Sequence, residues 1–294
     1  MRRGLTDGLG RLIIGFWLRI RRIPEEVLNA PATRGATLSW GGSTALAMDL
    51  RRAALDVKAA ALSEDGRLDY PSVRQSDPYQ ELIAISRRLG LVDPGSLTGD
   101  AMRAFWINVY NALVVDGLVR FGLRERMDEL RGGLTGFYVR VGYDVGGLRF
   151  SPDDIEHGLL RANRGHGQLP GTHFARSDPR VGLCVADVDP RLHFVLHCGA
   201  ESCPAVGALS VDTLDAQLEA ATRGYLNGPG GASFEAESNA LLLPAFMDWS
   251  AIDFGSRAQL LRFTARHLDD KEVAKDLLAG PIEVGFRDYD WSLG

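Results

Sequence analysis

The sequence predicts an α+β fold, with N-terminal helices packed with a small, mainly antiparallel sheet in a single main domain. Three observations lead there. Helical apolar spacing dominates up to about residue 122, and short segments of alternating apolar residues separated by glycine turns begin near Phe137 and mix with further helices. The composition, 45% hydrophobic and 24% charged with a net charge of −5 over 294 residues, is that of an ordinary globular chain able to bury a core. The mild acidity argues against a nucleic-acid binder, which carries a basic stripe to neutralise phosphates.

The first residues begin like a secretory signal, with Arg2 and Arg3. The likeness then fails, because the apolar stretch Leu12 to Ile20 is broken by Arg19 and is followed by Arg21 and Arg22 instead of a small-residue cleavage site. No stretch approaches the ~20 apolar residues of a spanning helix. A helix over 11–22 would carry Leu12, Ile13, Phe16, Trp17 and Ile20 beside arginines. Peripheral contact with an anionic membrane and packing on its own domain are both open to it. Residues 29–43 are rich in Gly, Ala, Ser and Thr and read as a linker, which divides the chain into 1–43 and a main domain over 44–294.

Leu46 to Leu62 has helical spacing with Leu50, Leu55 and Val57 and ends near Asp65-Gly66. A second helix is expected from about Asp77 to Arg88, ending before Gly90. The third, from Thr98 or Asp100 to Gly122, is apolar on most faces, so it is expected to be buried all round. Its polar residues Asn108, Tyr110, Asn111 and Asp116 must then find partners. The two asparagines either fasten loops through backbone groups or orient a catalytic group.

From Phe137 the pattern gives a strand, a Val-Gly-Gly turn, a second strand and a helix. Ser151 caps that helix, Pro152 fits its first position, and Asp153 and Asp154 suit its dipole, with Asp154 completing an acidic variant of the capping box. Glu156 and His157 are thereby placed on a helix. Residues 162–180 form a long irregular loop in which His166 and His173 read as exposed. After it, LHFVLH alternates as a strand, with His193, Val195 and His197 on the face opposite the core. Four residues at ~3.3 Å each would hold the two histidines about 13 Å apart, too far to share a metal ion. Val211 to Leu226 is helical again, a strand lies near Ala240 to Leu243, and apolar helices close the chain.

The chemistry concentrates in DPRLHFVLHCGAESCP, residues 189–204. Of three cysteines in the chain, Cys198 ends the expected strand and Cys203 follows five residues on, where a fixed scaffold can display a reactive group. So few cysteines argue against a disulfide scaffold and favour a reducing, cytoplasmic compartment. A Cys198–Cys203 bridge would belong to an oxidising compartment or a redox cycle. A thiol becomes a nucleophile beside a base, a cation or a helix N-terminus. The bases within the pattern are His157, His193 and His197; the alternative is that both cysteines simply pack as small hydrophobes.

AFWINVYNALVVDGL, GGLRFSPDDIEHGLLR, DPRLHFVLHCGAESCPAV and DWSAIDFG, in this order over about residues 104–255, resemble the successive motifs of the family called domain of unknown function 547. The resemblance implies no settled activity. Some members are joined to glutaredoxin-like domains, which points toward thiol chemistry. Its pattern picks out Asn108, Tyr110 and Asn111, Glu156 and His157, and His193, Cys198 and Cys203; at the position of His197 it varies.

Three functions follow as expectations. One is a cysteine-dependent hydrolase or acyl transferase acting on a small molecule or peptide, with Cys203 as nucleophile, His157 or His193 as base, and Glu156 or Asn111 orienting the base. In the second, Cys198 and Cys203 cycle between dithiol and disulfide. The third is a non-enzymatic, membrane-peripheral module in which Asn108, Tyr110 and the other motif residues serve the fold. No cofactor and no metal are required by any of them, although His157, His193 and the cysteines leave a metal site open.

Overall fold

The fold is taken from a computed structural model, which describes residues 13, 25–30, 37–64, 66–129, 133–166, 171–205 and 209–294. Apart from Ile13, the basic segment 11–22 lies outside the described residues, and so does the membrane contact drawn from it.

Helix α1, Trp40–Ala61, starts at Ser39, whose hydroxyl accepts from the Gly42 amide. It therefore begins inside the expected linker and six residues before Leu46, because Ser39 supplies a cap that the Gly-rich composition obscures. Leu46, Leu50, Ala53 and Val57, spaced three or four apart, are its buried face. Helix α2, Asp77–Ser86, is capped by Ser76. Helix α3, Gly99–Phe121, is buried continuously from Ala104 to Val119, and Gly122 closes it. Helices α1 and α2 pack together, α3 lies across both, and the three form most of the larger core.

Helix α4, Gly133–Arg140, runs directly into β2, Val141–Val145, which turns at Gly146-Gly147 into β3, Leu148–Phe150. Strand β1, Glu26–Val27, pairs in parallel with β2, Glu26 opposite Val141, and fastens the described part of the N-terminal segment to the main body. Asn29, fully buried, completes that join through the Ser86 carbonyl and both backbone groups of Asp144. In the second half come α5, Leu214–Leu226; β4, Ser233–Glu235; β5, Ala240–Leu243; α6, Ala245–Trp249; α7, Ala251–Phe254; α8, Arg257–His267; α9, Lys271–Ala279; and β6, Glu283–Phe286. A smaller core of Phe194, Leu226, Leu243, Phe246, Phe254 and Leu260 lies here.

The fold is α+β, as the sequence predicts. Its strands, however, are split between two three-stranded sheets, β1-β2-β3 and β4-β5-β6, each with one antiparallel and one parallel pair. A further difference matters for the site. LHFVLH is not a strand: Pro190–Phe194 is a tight helical turn, started by the Asp189 carboxylate accepting from the Arg191 amide. Pro190 at the first helical position and an Asp cap outweigh the alternating pattern. The 13 Å separation of His193 and His197, which assumed an extended chain, does not apply.

Candidate functional site

A cavity of about 680 Å³ lies where α3, α4, the helix after β3, the thiol segment, α6 and the C-terminal residues meet. Each wall has a local cause. The helix after β3, Asp154–Leu160, begins with reciprocal bonds between Ser151 and Asp154, the amide of each donating to the side chain of the other at 3.1 Å. It is wider than an α-helix. The Arg161 amide bonds the Glu156 carbonyl and the Asn163 amide bonds that of Gly158, five residues back in each case. Such widened turns recur at functional sites. Gly158 is required because a Cβ there would lie 2.2 Å from the Phe174 ring.

Glu156 and His157 project from this helix into the cavity. Tyr110 of α3 donates to Glu156 Oε2 at 3.3 Å. Arg161 donates to His157 Nδ1 at 2.7 Å, which places the ring proton on Nε2, 3.4 Å from Asp153 Oδ1. Burial, and then the charge of Arg161, holds His157 well below the ordinary histidine range, so it is neutral. Burial also raises the Asp153 carboxyl, although the charge of His173 opposes it.

The thiol segment leaves the 190–194 turn with His193 on the cavity. His193 Nε2 donates to Asp253 Oδ2 at 2.9 Å. Asp253 has no exposed side-chain surface and also accepts from Arg161 and Arg164. Burial alone would raise its carboxyl, but the bonds from His193 and Arg161 and the charge of Arg161 outweigh that and hold it well below the usual carboxylate range. Asp253 is therefore ionised.

Cys198 and Cys203 are joined by a disulfide, which lines the cavity. Gly199 makes the turn between them possible: its φ is +92°, and a Cβ would meet Met127 Sδ at 2.8 Å. The Cys198 amide donates to Cys203 Sγ at 2.9 Å, and the Tyr289 hydroxyl lies 2.9 Å from Cys198 Sγ and 3.0 Å from Cys203 Sγ. Burial, and then the charges of Tyr225 and Glu156, hold the Tyr289 phenol protonated. Tyr289 is placed by residues 290–294, which run back along the loop. The Glu201 amide bonds the Ser292 carbonyl, the Gly294 amide bonds that of Gly199, and the Met127 amide bonds that of Trp291.

Of the residues singled out by sequence, Tyr110, Glu156, His157, His193, Cys198 and Cys203 share this cavity. Asn108 and Asn111 do not line it. Asn111 donates to the Val195 carbonyl at 2.9 Å and accepts from the His197 amide at 2.8 Å, so it fastens the thiol segment to α3, and Asn108 donates to the Leu209 carbonyl. Their bonds are those of loop fasteners. His197 is also off the cavity: it donates to the Pro204 carbonyl and accepts from Lys58, and burial, with the Lys58 charge, pushes it down to about 3.

His166 and His173, expected to be exposed, are corrected. His173 is buried and donates to Asp154, while His166 lines the cavity with its ring 4.9 Å from that of His157. The loop folds inward because Asn163 holds both backbone groups of Phe174. Sequence reading missed Ser250, Asp253 and Tyr289. For the first two a signal existed, since DWSAIDFG is one of the four motifs; Tyr289 lies in a tail without periodicity. Among the described residues no group of three or more His, Cys, Asp or Glu side chains could hold a metal ion, and no helix is long and apolar enough to cross a membrane.

Compared with known proteins, residues 94–226 match the family model described as Protein of unknown function, DUF547. No curated protein and no solved structure matches the chain significantly. The matched stretch contains α3, the wide helix and both bridged cysteines, and it ends before Ser250, Asp253 and Tyr289. The resemblance is therefore to a family whose function is unknown, and it covers residues 94–226 of the chain.

Proposed function

We propose that the chain carries out thiol–disulfide exchange, with Cys198 and Cys203 cycling between disulfide and dithiol in the wall of the cavity. The reading rests on one observation: the bridge faces the cavity with the Tyr289 hydroxyl against both sulfurs. A structural bridge in a core would have neither access nor a proton donor beside it.

In the oxidising direction a substrate thiolate attacks one sulfur, forming a mixed disulfide. The S–S bond breaks, and its electron pair leaves on the other cysteine. Tyr289 donates a hydrogen bond to that thiolate. A second substrate thiol then attacks the substrate sulfur of the mixed disulfide. The substrate departs as a disulfide, and both chain cysteines are left reduced. A second, small disulfide such as oxidised glutathione restores the bridge. Cys203 is the better-held thiolate, since the Cys198 amide and Tyr289 both donate to it.

The same amide bond supports a second reading, acyl transfer at reduced Cys203. In the bridged state neither sulfur bonds His157 or His193, so that reaction needs prior reduction and a water between thiol and base.

The test equilibrates the full chain in glutathione buffers of graded potential, traps free thiols by alkylation and reads intact mass. Turnover of a fluorogenic dithiol peptide with oxidised glutathione is followed in parallel. A two-hydrogen transition, with turnover well above that of Cys203→Ser, supports exchange. A bridge that stays closed in every buffer, or turnover equal to that of the variant, overturns it.

A further inference from the structure

The same cavity holds a second potential nucleophile, on which neither cysteine bears. Ser250 lies between α6 and α7, is 6% exposed and lines the cavity. Its hydroxyl donates to His193 Nδ1 at 3.5 Å, a long bond of the kind that tightens when a substrate is bound. The opposite ring nitrogen of His193 is committed, since Nε2–H donates to the buried Asp253 carboxylate at 2.9 Å. A neutral imidazole with its proton on Nε2 presents a free lone pair at Nδ1, on the side of Ser250. Asp253 is itself held in place by Arg161 and Arg164. Hydroxyl, imidazole and carboxylate thus stand in series, the order that fixes the tautomer a base needs.

From this juxtaposition we infer that Ser250 is an acyl-accepting nucleophile, with His193 as its base and Asp253 as the positioning residue, acting on esters with an apolar acyl group. The apolar class follows from the aromatic and aliphatic side chains that line the cavity with Ser250: Trp249 lies parallel to Trp291 at 5.6 Å, and Phe246 and Leu196 also face it. In the reaction the Ser250 Oγ–acyl bond forms while the proton passes to His193. The ester C–O bond breaks, and the leaving alkoxide takes that proton. Water then gives a proton to His193, its hydroxide attacks the acyl carbon, and Ser250 departs and regains the proton. Ester and water become acid and alcohol.

The test treats the full wild-type chain with an alkyl fluorophosphonate, in which Oγ displaces fluoride from phosphorus, and locates the adduct by peptide mass. Hydrolysis of p-nitrophenyl butyrate is compared between the wild type and Ser250→Ala. One adduct, on Ser250, and at least a 100-fold loss of hydrolysis in the variant are expected. Absence of an adduct at Ser250 in the folded wild type overturns the inference whatever the variant does, and so does undiminished hydrolysis by a folded Ser250→Ala. For Asp253, Asp253→Asn should lower the maximal labelling rate without raising the probe concentration for half-maximal rate, and Asp253→Glu should restore part of it. A change confined to the half-maximal concentration would remove the positioning role.

Discussion

Helix α3 serves two polar clusters, and their contrast separates scaffold from chemistry. Near its C-terminal end, buried Asp116 accepts from the Tyr79 and Tyr143 hydroxyls, both at 2.8 Å, and does not line the cavity. One turn and a half earlier, Tyr110 meets Glu156 at the edge of the 680 Å³ cavity, which His157, His193 and the bridged sulfurs also line. Both clusters are deeply placed. Burial does not tell them apart; polar and titratable side chains facing open space do.

The widest expected separation comes from one substitution in each cluster. Cys203→Ser should take dithiol oxidation to background while lowering stability by only ~2 kcal/mol, the loop-closure value for so short a loop. Asp116→Ala should do the reverse. It leaves two buried phenols without their acceptor, a loss of about 3 kcal/mol or more by urea denaturation, with turnover unchanged in the folded fraction. Altered turnover in folded Asp116→Ala would break the distinction.

Asn111→Ala lies between the two, because Asn111 belongs to α3 but holds the thiol segment. Leaving the Val195 carbonyl and His197 amide unpaired should cost about 2 kcal/mol, with faster amide exchange at His197 as the local signature. Tyr289→Phe should lower exchange about tenfold, the scale of one hydrogen bond to a thiolate, at little cost in Tm.

Acid titration offers the smallest and sharpest difference. Asp253 is depressed, so its stabilisation is present above the ordinary carboxylate value of about 4 and is lost as pH falls through its lower folded value. Asp116 is raised, by burial against the bonds from Tyr143 and Tyr79, so its contribution is full below about 4 and is lost as pH rises through its folded value. Relative to Asp253→Asn, the wild type should lose stability on acidification; relative to Asp116→Asn, it should gain. Denaturant midpoints of the three proteins between neutral pH and pH 3 read both slopes.

Much of the scaffold is legible in the sequence because its causes are local. The length of α3 follows from an unbroken apolar run ending at Gly122, and the wide helix starts where Ser151 and Asp154 announce it. The thiol segment was legible as a place of chemistry, but its conformation was not: alternation at 192–197 hides the stronger local signal of Asp189-Pro190. The remaining features of the site are long-range. Asp253 reaches His193 across sixty residues and Tyr289 reaches Cys203 across eighty-six, distances at which spacing carries no information. The inward turn of His173 depends on tertiary bonds that composition does not reveal, the pairing of Asn163 with Phe174 and the bond from His173 to Asp154.

The backward run of residues 290–294 along the Gly199 turn has a practical corollary. Anyone trimming the chain to the recognised stretch, 94–226, would keep the two sulfurs and discard the phenol resting on them, together with the serine and aspartate flanking His193. Inactivity of such a fragment would report on the scissors and not on the family.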